Sequence, residues 1–192
     1  MPTILEQAET IRDETVEYAN TPARVGGCLV DIANALSSAN ALPYYFCYAG
    51  SNTQPTVITT GGTFYKAVTD LGVGYASGFS IDEFGVITCT YADAAGFYGM
   101  YNVHVVMSVS GASGSHQVTA ALGSGTAVDD TTAVVTTLAN GAGKPHQIVM
   151  SFPFFMHEDD TLAIWLTDNH DGEELLVTNT SIAITRIATL AI

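Results

Sequence analysis

From about Thr56 to Ile192 the chain is an unbroken series of short segments in which apolar and polar residues alternate, split by Gly, Asn and Asp and closing on LAIWLTDN and TSIAITRIATLAI. A side-chain period of two belongs to a strand with one face in a core, so the pattern predicts an all-β sandwich with one short helix ahead of it. Strands are expected near 63–70, 84–91, 99–110, 115–122, 126–138, 146–156, 160–167, 174–178 and 181–188. The alternation is clearest in YNVHVVMSVS and TSIAITRI, and the connections SGASGS, Asp129–Asp130, NGAGK and DNHDGEE carry turn residues. There is no internal repeat of 20 to 50 residues and no Gly-X-Y tract.

Composition bears on what surrounds such a sandwich. Apolar residues make up 47% of the chain and charged residues only 12%, the latter about half the usual share of a globular domain. A monomer of 192 residues has more surface than so few charges normally cover, so part of the apolar excess is expected to be buried between subunits. Five Lys and Arg stand against nineteen Asp and Glu, a net charge of −14. The basic residues Arg12, Arg24, Lys66, Lys144 and Arg186 are scattered, which argues against nucleic-acid binding and, by the same repulsion, against anionic membranes.

The opening MPTILEQAETIRDE has neither the basic nor the apolar part of a secretory signal, and no stretch approaches the ~18 apolar residues that would span a bilayer. Cys28, Cys47 and Cys89 are odd in number and widely spaced, so three buried thiols in a protein folded in a reducing cytoplasm are expected.

Along the chain, residues 1–20 read as an acidic arm and 21–38 as a helix. Asn20 or Thr21 can cap the helix and Pro22 suits its first position. Val25, Leu29, Ile32 and Leu36 follow in a 4-3-4 spacing that lays one apolar seam along one face. A helix of that length is only about 24 Å long and marginal alone. It therefore packs either on its own sandwich or on copies of itself in a short bundle, where Gly26 and Gly27 permit close approach; the bundle is the preferred reading. Residues 39–55 read as a connector, although its run PYYFCY is too aromatic to be left in water, and 56–192 as the sandwich.

These segments carry a resemblance. The run from TFYKAVTDLGVGYASGFS through GFYGMYNVHVVMSVS, then QVTAALGSGTAV, IVMSFPFFMHEDDTLAIWLTDN and LLVTNTSIAITRI, resembles the compact jelly-roll heads of bacteriophage fibre proteins. Those heads are similar to the trimeric domains of complement and tumour-necrosis-factor ligands. NTPARVGGCLVDIANAL resembles the helical connector that precedes trimeric heads in phage tail and head fibres. The resemblance implies a mainly β, antiparallel jelly-roll head, preceded by one short helix and homotrimeric about an axis lined by apolar and aromatic side chains. Val25, Leu29, Ile32 and Leu36 would form the helical interface and Tyr98, Tyr101, Phe155 and Trp165 would be the axis aromatics.

Chemistry-bearing patterns are weak. The loop holding Asp168, Asp171, Glu173 and Glu174 offers carboxylates to calcium, but placing Gly172 at the sixth position of an EF-hand loop puts Thr167 first and Thr178 last, neither of them a carboxylate. A solvated hairpin loop is expected there, and HEDD at 157–160 reads the same way. His104, His116, His146, His157 and His170 match no zinc spacing. GASGS at 111–115 fails as a nucleophile elbow, and GAGKP and GVGYASG fail as phosphate loops. No catalytic residue, metal or cofactor is expected.

The sequence thus predicts a phage virion protein that is not an enzyme, a head fibre or capsid decoration protein on the capsid exterior, attached to the particle through residues 1–40. A receptor-binding tail tip contacting host surface glycan is the alternative.

Overall fold

The computed structural model describes residues 29–30, 42–92, 97–112, 114–138 and 143–191, and the chain divides into two units, Met1–Leu42 and Pro43–Ile192. In the first unit Leu29 and Val30 are helical and more than half exposed. The arm and the other seam residues, Val25, Ile32 and Leu36, lie outside the described residues.

The second unit is built of strands in two antiparallel sheets. They are β1 (Tyr44–Gly50), β2 (Thr56–Ile58), β3 (Tyr65–Lys66), β4 (Tyr75–Ser77), β5 (Phe79–Ile81), β6 (Ile87–Cys89), β7 (Phe97–Gly111), β8 (His116–Gly123), β9 (Val134–Leu138), β10 (His146–Met156), β11 (Thr161–Asp168) and β12 (Glu173–Ala191). The first sheet runs β10-β7-β12-β1-β4 with β2 also on β12, and the second runs β5-β6-β11-β8-β9 with β3 also on β11. From β6 onward the chain changes sheet at every connection except that from β8 to β9. That is the winding of a jelly-roll sandwich.

Alternation places the core between the sheets. From the first sheet Tyr45, Cys47, Tyr101, Val103, Val105, Met107, Ile148, Ile182 and Ile184 point inward, and Val118, Ala120, Leu122, Leu162, Ile164 and Leu166 meet them from the second. Each large side chain so buried stabilises the fold by about 1.5–3 kcal/mol relative to exposure. The Tyr101 ring packs edge-on against Phe79 across the core, with centroids 5.3 Å apart. It also lies over Gly99, where an added Cβ would sit 2.4 Å from the ring, so this position needs glycine. The Tyr45 hydroxyl donates to the Gly72 carbonyl at 2.6 Å; burial first, and the neighbouring Cys47 second, push its ionisation above the ordinary value. Cys47 and Cys89 are buried thiols, as expected, and Cys28 is outside the described residues.

Three expectations change. Within the stretch read as a connector, residues 44–50 form β1, which lies between β12 and β4 in the first sheet. The segments 174–178 and 181–188 are one strand, β12, with register shifts between Val177 and Asn179 and between Arg186 and Ala188. The first shift moves the inward positions from odd (Leu175, Val177) to even (Thr180, Ile182, Ile184), which breaks the sequence period without ending the strand. Of 126–138 only β9 is extended for more than a bridge, because Asp129 caps a short 3-10 turn at Asp130–Thr132 through the Thr131 amide.

Candidate functional site

Two arrangements stand out from the fold. The first is the outward face of the first sheet. In β1 the alternation that sends Tyr45 and Cys47 inward sends Tyr44, Phe46 and Tyr48 outward. Register then sets Tyr75, Phe46, Ala183, His104 and Ser151 in one row across the sheet and Tyr48, Ser181, Val106 and Val149 in another. Phe155 on β10 and Ile187 on β12 are exposed on the same sheet, and exposure of its large apolar residues runs from 46% at Tyr44 to 77% at Tyr75. The strands β1, β4, β7 and β10 contain no Asp, Glu, Lys or Arg. Among the described residues the sheet's one outward charged side chain is Glu174, near the start of β12 beside Val57. A wide, aromatic, charge-poor sheet face is the surface of this unit best suited to cover by protein.

The expected axis aromatics do not share one surface. Tyr101 is fully buried in the core. Trp165 lies on β11 in the second sheet, where its indole donates to the Ser124 carbonyl at 3.1 Å. Tyr98 is half-buried with its ring 3.3 Å from that of His157, and Phe155 is exposed. Tyr101 fails for a reason of parity, since it is on the inward set of β7 with Val103 and Val105. The aromatics that the sequence reading passed over, Tyr44, Phe46 and Tyr48, show a period of two within YYFCYAG, which is the signal that could have found them.

The second arrangement is a cluster at one end of the sandwich. The β8–β11 ladder pairs Asp168 with Val118, and one step further Asn169 closes on Gln117 through its amide and its side chain. That register sets His170 beside His116. His116 Nδ1 is 3.1 Å from His170 Nδ1 and 3.5 Å from Asp168 Oδ1, and His170 Nδ1 is 3.2 Å from the same oxygen. The His170 amide also donates to Asp168 Oδ1 at 2.8 Å. On its other side His116 faces Glu173, whose Oε1 is 3.6 Å from Nε2 and accepts the Ala112 amide at 2.7 Å. His116, Asp168 and Glu173 are buried, whereas the His170 side chain is half exposed. Gly111 makes room here, for an added Cβ would press on Glu173 Oε1 and His116 Cδ2 at 3.2 and 3.3 Å.

The DNHDGEE stretch is therefore not a solvated hairpin. Its flanks β11 and β12 belong to different sheets, and Asp168 and Glu173 are drawn inside by that change of sheet. Asp171 instead caps the 61–62 turn, accepting the Gly61 amide at 2.6 Å. HEDD at 157–160 is a tight turn in which Asp160 accepts the His157 amide and Asp159 has φ of 68°.

No protein-family model matches the chain. No curated protein matches it either. Among solved structures, Eiger TNF from S. frugiperda aligns with a TM-score of 0.44 at 12% identity, covering 76% of this chain and 94% of that one. Murine APRIL at pH 5.0 gives 0.45 at 7%, covering 74% and 98%. PRD1 vertex protein P5 gives 0.42 at 15%, covering 77% and 98%. Likenesses of this size assign neither a family nor an activity. Among the described residues no helix is long and apolar enough to cross a membrane.

Proposed function

We propose that this chain is a homotrimeric structural protein of a bacteriophage virion, a head fibre or capsid decoration protein displayed on the particle exterior, and not an enzyme. The observation that carries the reading is the aromatic, charge-poor outer face of the first sheet. Left in water it would be a large apolar patch, and covering it with further copies of the chain removes that cost. The low charge content of the whole chain supports the same reading. Residues 1–40 would hold the trimer on a capsid or other virion protein, and threefold repetition would turn weak contacts into avidity. The net charge of −14 suits a position away from packaged DNA.

A second reading, the tip of a tail fibre contacting host surface glycan, is favoured by the exposed aromatics Tyr75 and Phe84, since flat rings at a surface can stack on sugars. Antibody labelling of purified particles separates the two. Label over the capsid supports the head protein. Label at the tail, with binding on a glycan array that is lost in Tyr75→Ala, supports the tip. Label on neither rejects both.

A further inference from the structure

The histidine–carboxylate cluster has a geometry that a hydrogen-bonded group of neutral side chains does not account for. Three atoms able to carry lone pairs, His116 Nδ1, His170 Nδ1 and Asp168 Oδ1, converge with mutual separations of 3.1, 3.2 and 3.5 Å. Bonds of about 2.0–2.1 Å from a tetrahedral zinc ion hold its ligand atoms about 3.3–3.4 Å apart, so the triangle fits one face of that tetrahedron. Two buried atoms of the cluster, His116 Nε2 and Asp168 Oδ2, have no hydrogen-bond partner within the protein. With no ion, a proton on one imidazole can satisfy only part of the triangle, and the remaining lone pairs face each other. A cation at the centre engages all three. It also fixes the tautomer of His116, because Nδ1 on the metal leaves the proton on Nε2, turned toward Glu173 Oε1. A carboxylate behind a ligating imidazole is the common outer arrangement of histidine metal sites.

We propose that His116 Nδ1, His170 Nδ1 and Asp168 Oδ1 bind one divalent cation of the zinc class, with Glu173 as the outer carboxylate on His116. Two imidazole nitrogens exclude a calcium or magnesium preference, which requires oxygen ligands. His170 is half exposed, so the fourth coordination position faces solvent and takes a water molecule. The ion ties the start of β8 to the end of β11 and to the turn at 169–172. This replaces the expectation of no metal, and it stands on its own residues whether or not the chain is a virion protein.

The test uses the full, tag-free chain stripped with chelator and then dialysed. Calorimetric titration with Zn²⁺ is expected to give one ion per chain, Co²⁺ is expected to develop the visible absorption of a tetrahedral site, and the ion is expected to raise the melting temperature by mass action. His170→Ala, at a half-exposed position that leaves the core intact by circular dichroism, is expected to weaken binding about a hundredfold. Glu173→Gln, which keeps an oxygen for the Ala112 amide, is expected to weaken it about 10- to 100-fold. His146→Ala, outside the cluster, is expected to leave it unchanged. No binding at ~1 mM Zn²⁺, or binding unaffected by His170→Ala, overturns the site; an unchanged Glu173→Gln overturns the role of Glu173.

Discussion

The two sheets of the sandwich turn different faces outward. The strands of the first expose Tyr44, Phe46, Tyr48, Val57, Tyr75, Val149, Phe155 and Ile187, whereas among described residues Val135 is the one large apolar side chain that the strands of the second leave exposed. The outward set of the second includes Gln117, Thr119, Thr137 and Thr161; on the same side Ala121 and Ala163 are buried, and its aromatic, Trp165, is half-buried and hydrogen bonded to the Ser124 carbonyl. Both faces meet the same core and both lack charge along most strands, so neither folding nor composition alone explains the contrast. The proposed cover by other copies of the chain on one side only would, and it predicts that equal changes on the two faces have unequal effects.

The largest effect is expected from β1, which carries both outward aromatics and inward core residues. Deleting residues 1–42 leaves the unit from Pro43 folded, with its circular dichroism and melting temperature nearly unchanged. Deleting 1–55 removes Tyr45 and Cys47 from the core and opens the edge of β12. That loss is comparable with the ~5–15 kcal/mol by which a domain is stable, so the shorter protein is expected to be insoluble or unfolded. If it folds, β1 belongs to an attachment segment and its aromatics say nothing about the sheet face.

Next comes the direct contrast. In the proposed trimer Phe46→Lys would place three ammonium groups in the covered face, and it is expected to raise the dissociation constant about a hundredfold, ~2.8 kcal/mol. Thr137→Lys on the second sheet is expected to do nothing. Analytical ultracentrifugation over a concentration series reads both, and equal effects would end the comparison.

Gly99→Ala probes the inner side of the same sheet. The added methyl must displace the Tyr101 ring, at a cost of about 1–3 kcal/mol in urea unfolding, with the oligomeric state preserved. An unchanged midpoint would show that the ring moves freely.

The smallest effect concerns Tyr45. Its folded ionisation lies above the ordinary value of 10.0, so its contribution is full below pH ~10 and is lost as pH rises above that value, where the unfolded chain has released a proton that the folded one retains. In an ultraviolet titration Tyr45 should ionise only with alkaline unfolding, and Tyr45→Phe should lower the amplitude of that step by one tyrosine. If all tyrosines ionise before unfolding, Tyr45 is not sealed in the core.

Much of the fold was legible because long strands with one face in the core alternate cleanly: the expected 146–156 coincides with β10, and 99–110 lies within β7. β1 was missed because aromatics occupy both of its faces, so that YYFCY reads as a cluster before it reads as a strand. β12 was split because its register shift reverses the parity of inward residues. The histidine–carboxylate cluster was illegible because His116 and His170 are far apart in the chain and become neighbours only through the β8–β11 register, which no local spacing encodes. The axis aromatics failed in part for the opposite reason, since residue type was read without parity and Tyr101 belongs to the inward set.

The aromatic face of the first sheet is proposed to be covered by copies of this chain. Multi-angle light scattering on the purified full chain at micromolar concentration tests it most directly. A mass three times that of the 20.1 kDa chain, falling to the single-chain mass in Phe46→Lys and unchanged in Thr137→Lys, is the predicted result. A wild-type chain that runs as a monomer would contradict it.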